Sequence, residues 1–296
     1  MNVWIKATRP WTLQASVMPV ILTASYIFFL QQDIAFFVNW ALLPLVIFAN
    51  VCYQAGMNMI SDVDDLKSGI DNEHSIGHEK LLVKGKADIK TWKIVAHGWL
   101  ALGTGIGIWL VFKSGYHLLW IGGIGLISGY FYNIFKKYAL GDLLIFTIFG
   151  LLTVQGTFFV LTSELSLTAV LLAFPPGLLI TAILHANNTR DMFLDEKAGI
   201  RSRAFVLGFR GAQRRHAVLI FGAFLMVVIM AVSKILPYQS LLILLTLPIA
   251  LANVKTMFKA SPENLEPILS LDEATAKLQI VFTVLLSLGI AGATLF

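Results

Sequence analysis

The sequence predicts an all-α integral membrane protein, with nine transmembrane helices in a single bundle. Three observations carry that prediction. Of 296 residues, 57% are hydrophobic and only 13% charged, and mean hydropathy is +0.78; a soluble domain carries roughly 25% charge. The apolar residues come in runs near the ~20 residues that cross a bilayer as a helix, without the period-two alternation of barrel strands. In lipid only helices and closed barrels satisfy the backbone, so runs of this kind read as helices.

The expected spans, in order, are 14–31, 39–60, 92–112, 117–134, 142–162, 167–187, 215–233, 238–254 and 278–295. The first follows a basic start, MNVWIKATRPWTL, with no convincing small-residue cleavage site beyond it. The second ends on Asn and acid. Asp88 is placed to cap the start of the third. Those at 117–134 and 238–254 are the shortest. The last follows a polar connector, ASPENLEPILSLDEATAKL. No separate soluble domain stands out, so residues 1–296 read as one domain. The single cysteine, Cys52, excludes an intramolecular disulfide framework.

Charge placement supports the count. With nine spans, 20 of the 22 basic residues fall on the side that holds the N-terminus, and only Lys113 and Lys234 fall on the other. The positive-inside rule then makes the N-terminus cytoplasmic in a multi-pass protein of the cell's inner (plasma) membrane. The net charge of +5 follows from this topology and does not point to nucleic acid.

Two long polar loops share the basic side, and each opens on a similar motif. NMISDVDDLKSGID begins at Asn58, and NNTRDMFLDEKAGIR begins at Asn187. Each has Asp four residues after its Asn (Asp62, Asp191), a further Asp (Asp65, Asp195), and then Lys, a small residue, Gly and Ile. The copies lie 129 residues apart. Asn58, Asp62 and Asp65 share a helix face if the helix continues, and so do Asn187, Asp191 and Asp195. Two stripes of oxygen ligands suit a hard cation. Mg²⁺ accepts one or two carboxylates with water and substrate phosphate. Two such clusters would clamp a diphosphate leaving group. The plainer reading is a pair of helix caps and solvated loops; duplication at matched span ends argues against it. Asp64 and Glu196 fall off the stripes and read as solvated, and Asp71 as a turn former or a residue behind the metal ligands.

These motifs resemble the UbiA superfamily of intramembrane prenyltransferases, over nearly the whole chain. NNTRDMFLDEKAGIRS looks most like the 1,4-dihydroxy-2-naphthoate polyprenyltransferases of menaquinone synthesis and their animal relatives. RPWTL, DLKSGID, ALGDLLIFTIFG and GTFF extend the likeness. Ser61 stands where the family commonly has Asn, and RSRAFVLG, with Arg203, replaces its usual Arg-Thr-Leu-Ala run. The resemblance implies a nine-helix bundle around a central cavity opening to the cytoplasm.

It also implies a reaction: Mg²⁺-dependent transfer of a chain from a polyprenyl diphosphate to an aromatic acceptor, with lipid as surroundings. Asp62, Asp65, Asp191 and Asp195 would be catalytic, and with Asn58 and Asn187 would hold the metal. Substrate contacts would come from Asn58, Lys67, Asp71, Lys136, Asn187, Asn188, Arg190, Lys197 and Arg201, with Lys137 an alternative to Lys136. Most cations on this face also serve topology alone. An allylic cation needs shielding that aromatic faces provide. Candidates are Tyr130, Phe131, Tyr132, Phe146, Phe149, Phe158 and Phe159, although each also reads as interfacial packing; Tyr132 with Asn133 is the preferred cavity-lining pair. His185 reads equally as an acceptor contact or a bond to a neighbouring helix. His74 and His78 read as solvated loop, and the loop that carries them as a lid. Other acceptors (4-hydroxybenzoate, a tetrapyrrole, a glycerol phosphate), internal terpene cyclisation, or a membrane transporter remain as alternatives.

Overall fold

The computed structural model describes residues 2–32, 36–69, 71 and 80–295. His74 and His78, and the part of the expected lid that carries them, lie outside the described residues. Among the described residues there are helices and no strand, only one isolated bridge between Ser261 and Asn264.

The chain runs through α1 (Gln14–Leu30), α2 (Leu43–Lys67), α3 (Ile89–Ser114), α4 (His117–Tyr130), α5 (Gly141–Thr162), α6 (Phe174–Arg190), α7 (Met192–Lys197), α8 (Arg203–Val232), α9 (Leu247–Lys259) and α10 (Leu271–Gly292). Prolines open α2, α6 and α9, where a missing N–H costs nothing because the first turn has no acceptor for it. Asp88 caps α3 as expected, accepting from the Thr91 amide at 2.9 Å. A short segment, Val3–Thr12, precedes α1 and meets it at a 49° bend.

Seven helices among the described residues are long and apolar enough to cross a bilayer, and the bent N-terminal pair makes an eighth. The expected fourth span is where the count of nine meets difficulty. Its helix, α4, has 14 residues and rises only about 21 Å, short of a ~30 Å hydrocarbon core. Gly122, Gly123, Gly125 and Gly129 weaken it, and at Phe131 the backbone leaves helical geometry before a further turn, Tyr132–Lys136.

The main core joins α1, α5, α6, α8 and α10, with Phe224 and Phe282 edge to face at 5.0 Å. Lipid gives helices no hydrophobic drive toward each other, so close packing at small residues carries the association. A π-helical stretch, Phe146–Leu152, turns Gly150 of α5 onto Gly177 of α6. On α10, a Cβ at Gly289 would stand 2.2 Å from the Gln239 carbonyl oxygen. Gly289→Ala is expected to cost about 1–3 kcal/mol and lower the melting temperature in detergent. Gly292→Ala, where a Cβ meets nothing within 4 Å, should leave the melt unchanged.

A second cluster sits under the N-terminal segment. Ala7 and Trp4 pack on Met59, Val63 and Trp92, and the Trp92 indole donates to the Met59 carbonyl at 3.0 Å. This anchors Val3–Thr12 across the end of α2, beside the first acidic motif.

Candidate active site

One cavity of about 1120 Å³ runs through the bundle. On α2 its lining extends from Val46 to Asp65, roughly 28 Å of helix. Its body is apolar, with Leu110, Leu118, Leu126, Ile148, Leu152 and Val160 among the walls. Its mouth is ionic, and both acidic motifs reach it.

The first motif is helical to Lys67, so its side chains fan out at about 100° per residue. With Gln54 as the middle of the lining face, Ser61 and Asp65 lie within ~20° of it, and Asp62 and Asp64 lie ~80° to either side. The contacts follow this register. Asp65 lines the cavity with Ser61, whose hydroxyl stands 3.4 Å from Asp65 Oδ2. Asp64, expected to be solvated, is half-buried and accepts from Asn133 Nδ2 at 3.4 Å. Asp62 pairs with the Arg9 guanidinium and is not part of the lining. Asn58 lines the cavity but spends its amide on Thr8 O and Thr12 Oγ1, both at 3.0 Å. The helix continues through the motif, so Asn58, Asp62 and Asp65 lie within about 60° of one another, but the N-terminal segment takes Asn58 and Asp62 as partners and Asp65 is the carboxylate of the three that lines the cavity.

The second motif breaks rather than continuing as one helix. At Asp191 the backbone turns (φ −91°, ψ 0°) from α6 into α7. Arg190 is buried and makes four hydrogen bonds: its Nε and one Nη hold both Asp191 oxygens at 2.8 and 2.9 Å, and its other Nη reaches Asp272 Oδ2 at 3.0 Å and Leu269 O at 3.1 Å. Asn187 lines the cavity and donates to the same Asp272 oxygen at 3.4 Å. Asp195 is buried, accepts Lys136 Nζ at 3.5 Å through Oδ1, and has no partner for Oδ2 among the described residues.

Lys136 joins the two halves. It lines the cavity together with Asp65 and Asp195. Burial pushes the Asp195 carboxyl above the usual carboxylate range, and Lys136 opposes that shift. The Tyr132 hydroxyl is buried and has no hydrogen-bond partner among the described residues. Asp71 lines the same mouth, paired with Lys80 at 2.7 Å.

Of the other expected contacts, Lys67, Lys197 and Arg201 are exposed and off the cavity, and Asn188 is buried behind it. Among the aromatic candidates, Tyr130, Tyr132 and Phe149 line the cavity. Phe146 instead packs against Phe174 and Gly177, and Phe158 and Phe159 are buried in the bundle. His185 bonds neighbouring helices: Nδ1 meets Asp142 Oδ2 at 3.1 Å and Nε2 meets Ala212 O at 3.1 Å.

Sequence reading missed Arg9, Lys80 and Asp272 as members of the mouth. Asp272 opens α10 beside Glu273, an acidic first turn that was legible in the connector. Arg9 adopts a left-handed backbone (φ 51°, ψ 64°), uncommon for a residue with a Cβ, and no pattern in sequence announces it.

Among the described residues, no group of three or more His, Cys, Asp or Glu side chains is gathered to hold a metal. The set fits Mg²⁺ in another way, since that ion takes one or two carboxylates and completes its shell with water and phosphate. The unpartnered Asp195 oxygen and the cavity-facing Asp65 are such donors.

The profile of the UbiA prenyltransferase family matches residues 17–266. The 1,4-dihydroxy-2-naphthoate octaprenyltransferase of Bacillus subtilis (strain 168) is 26% identical over 288 residues, covering 96% of this chain and 90% of that protein. The apo structure of a UbiA homolog from Aeropyrum pernix K1 superposes with a TM-score of 0.69 at 16% identity, covering 94% of this chain and 98% of the other. A UbiA homolog from Archaeoglobus fulgidus bound to DMAPP and Mg²⁺ gives 0.59 at 14% identity, covering 96% and 99%. With a family match across most of its length and an apolar bundle carrying two acidic tips, the chain belongs to the UbiA prenyltransferase family and is a multi-pass membrane prenyltransferase.

Proposed function

We propose that this enzyme transfers a polyprenyl chain from its diphosphate to an aromatic acceptor, 1,4-dihydroxy-2-naphthoate, at the cytoplasmic mouth of a nine-span bundle whose N-terminus is cytoplasmic. The observation that carries the reading is one long apolar cavity that Asp65, Asp195 and Lys136 all line, with Lys136 Nζ 3.5 Å from Asp195. The naphthoate acceptor is supported by the name of the Bacillus relative and by the second motif, and the metal by the DMAPP- and Mg²⁺-bound homolog.

In this reading the apolar body takes the prenyl tail, which exchanges lipid for apolar side chains and is held there by packing. Asp65, Asp191 and Asp195 would hold Mg²⁺, which when bound would supply positive charge to stabilise a departing diphosphate. Lys136 is the phosphate contact, a point charge between the tips. Arg190 serves by fixing Asp191 and Asp272, since its donors are spent on them. Asp62 serves by holding Arg9, and Asp71 by holding Lys80. Tyr132 and Phe149 face the allylic carbon and keep water from it.

Purified protein is incubated with farnesyl or geranylgeranyl diphosphate and a panel of acceptors, with and without EDTA. Prenylated naphthoate is expected only with Mg²⁺ present. A chain joined instead to 4-hydroxybenzoate or glycerol phosphate would keep the transferase and overturn the acceptor. Turnover that persists in EDTA would overturn the metal.

A further inference from the structure

The basic face is mostly lysine: 13 of its 20 cations are Lys and seven are Arg. Five of those seven arginines lie within 201–215, and no Asp or Glu occurs from 197 to 262. Membrane topology asks only for positive charge, which lysine supplies equally. A local concentration of arginine asks for a different explanation, because its planar fork matches phosphate bidentately and lysine does not.

The structure sorts these arginines. Arg215 turns inward and donates from Nε to Asp142 at 3.0 Å. Arg203, Arg210 and Arg214 are exposed and have no ion pair among the described residues; exposed Arg201 lies over the Phe205 ring at 5.9 Å. The segment that carries them is built to lie along a surface. Gly208 adopts φ 66°, ψ 166° and breaks α8 after its first turns, a conformation essentially confined to glycine. Ala204 and Ala212 are buried on the inner side of the break. Outside, Val206 and Leu207 are 51% and 39% exposed among the guanidinium groups, and Arg210 and Arg214 share a face one turn apart. Exposed apolar side chains interleaved with cations, where an apolar span begins, match the chemistry of a bilayer interface, with the apolar groups at the acyl boundary and the cations at headgroup phosphates.

We propose that Arg203, Arg210 and Arg214, joined by Arg201, bind the phosphate of an anionic phospholipid at the membrane surface, outside the prenyl-transfer cavity. The site adjoins the second acidic tip: the Ile200 amide donates to the Asp195 carbonyl at 2.8 Å, and the Ser202 side chain caps the next helix.

The test needs no turnover. Full-length protein in nanodiscs of phosphatidylcholine with graded phosphatidylglycerol is extracted into detergent, and retained lipid is read by native mass spectrometry. Wild type is expected to retain phosphatidylglycerol over phosphatidylcholine. R203Q/R210Q/R214Q should bind it about 10²-fold more weakly, three cations having been removed. R203K/R210K/R214K keeps the charge and guards against a folding artefact; it should fall between the two. Retention by the glutamine variant equal to wild type, no preference for the anionic lipid, full retention by the lysine variant, or displacement by inorganic phosphate as effective as by the lipid would each overturn the proposal.

Discussion

Asp195→Asn and Asp65→Asn are each expected to lower kcat by about 10²–10³-fold, the loss typical of removing one preorganised electrostatic contact to a developing charge. The two carboxylates line the same cavity from different helices, together with Lys136, which contacts Asp195. Asn preserves their size, so the loss reports charge and metal affinity rather than packing. The Asp195 change should also raise the Mg²⁺ concentration for half-maximal rate, because its unpartnered oxygen is the free donor. Asp62→Asn provides the contrast. Its carboxylate answers Arg9 rather than the cavity, and an outer contact of this kind costs about tenfold. Single-turnover product formation across a Mg²⁺ titration separates the three. Equal losses in Asp62→Asn and Asp65→Asn would put Asp62 at the metal and refute the register drawn here.

Asp142→Ala is expected to destabilise the protein by about 3 kcal/mol, at the low end for breaking a buried ionic contact. Asp142 Oδ2 receives both His185 Nδ1 and Arg215 Nε, tying α5 to α6 and α8. Without it the imidazole of fully buried His185 loses its partner, whereas Arg215, partly exposed, turns to water and limits the cost. Asp142→Asn keeps an acceptor and should recover part of the loss. Thermal melts in detergent with and without substrate diphosphate measure both. If Asp142→Ala melts with wild type yet loses turnover, the carboxylate acts in the cavity rather than in the bundle.

Membrane class, helical content, the two acidic motifs and their resemblance were legible because each rests on short-range pattern. Hydropathy over some twenty residues marks a span whatever surrounds it, and a repeated Asn–Asp motif needs only the chain to be seen. Side-chain direction within a motif was not legible to the same degree. Asn58, Asp62 and Asp65 satisfy one helical spacing, yet a face spanning ~100° offers several neighbours, and the N-terminal segment took Asp62 through Arg9. Asp191 illustrates the same limit from the other side. Spacing placed it inside one continuous helix, and the turn at Asp191 instead ends α6 there and leaves it as the N-cap of the short helix that carries Asp195.

The chain alone thus specified what the protein is made of and where its acid lies: an apolar helical bundle with carboxylates at the ends of its second and sixth expected spans. Folding specified which of those carboxylates meet. Lys136 comes from the turn after α4, Asp272 from the start of α10 and Arg9 from ahead of α1, and no local rule connects residues so far apart. Charges in a dry bundle must find partners or pay heavily, so the partners each acid finds in three dimensions mark the working groups.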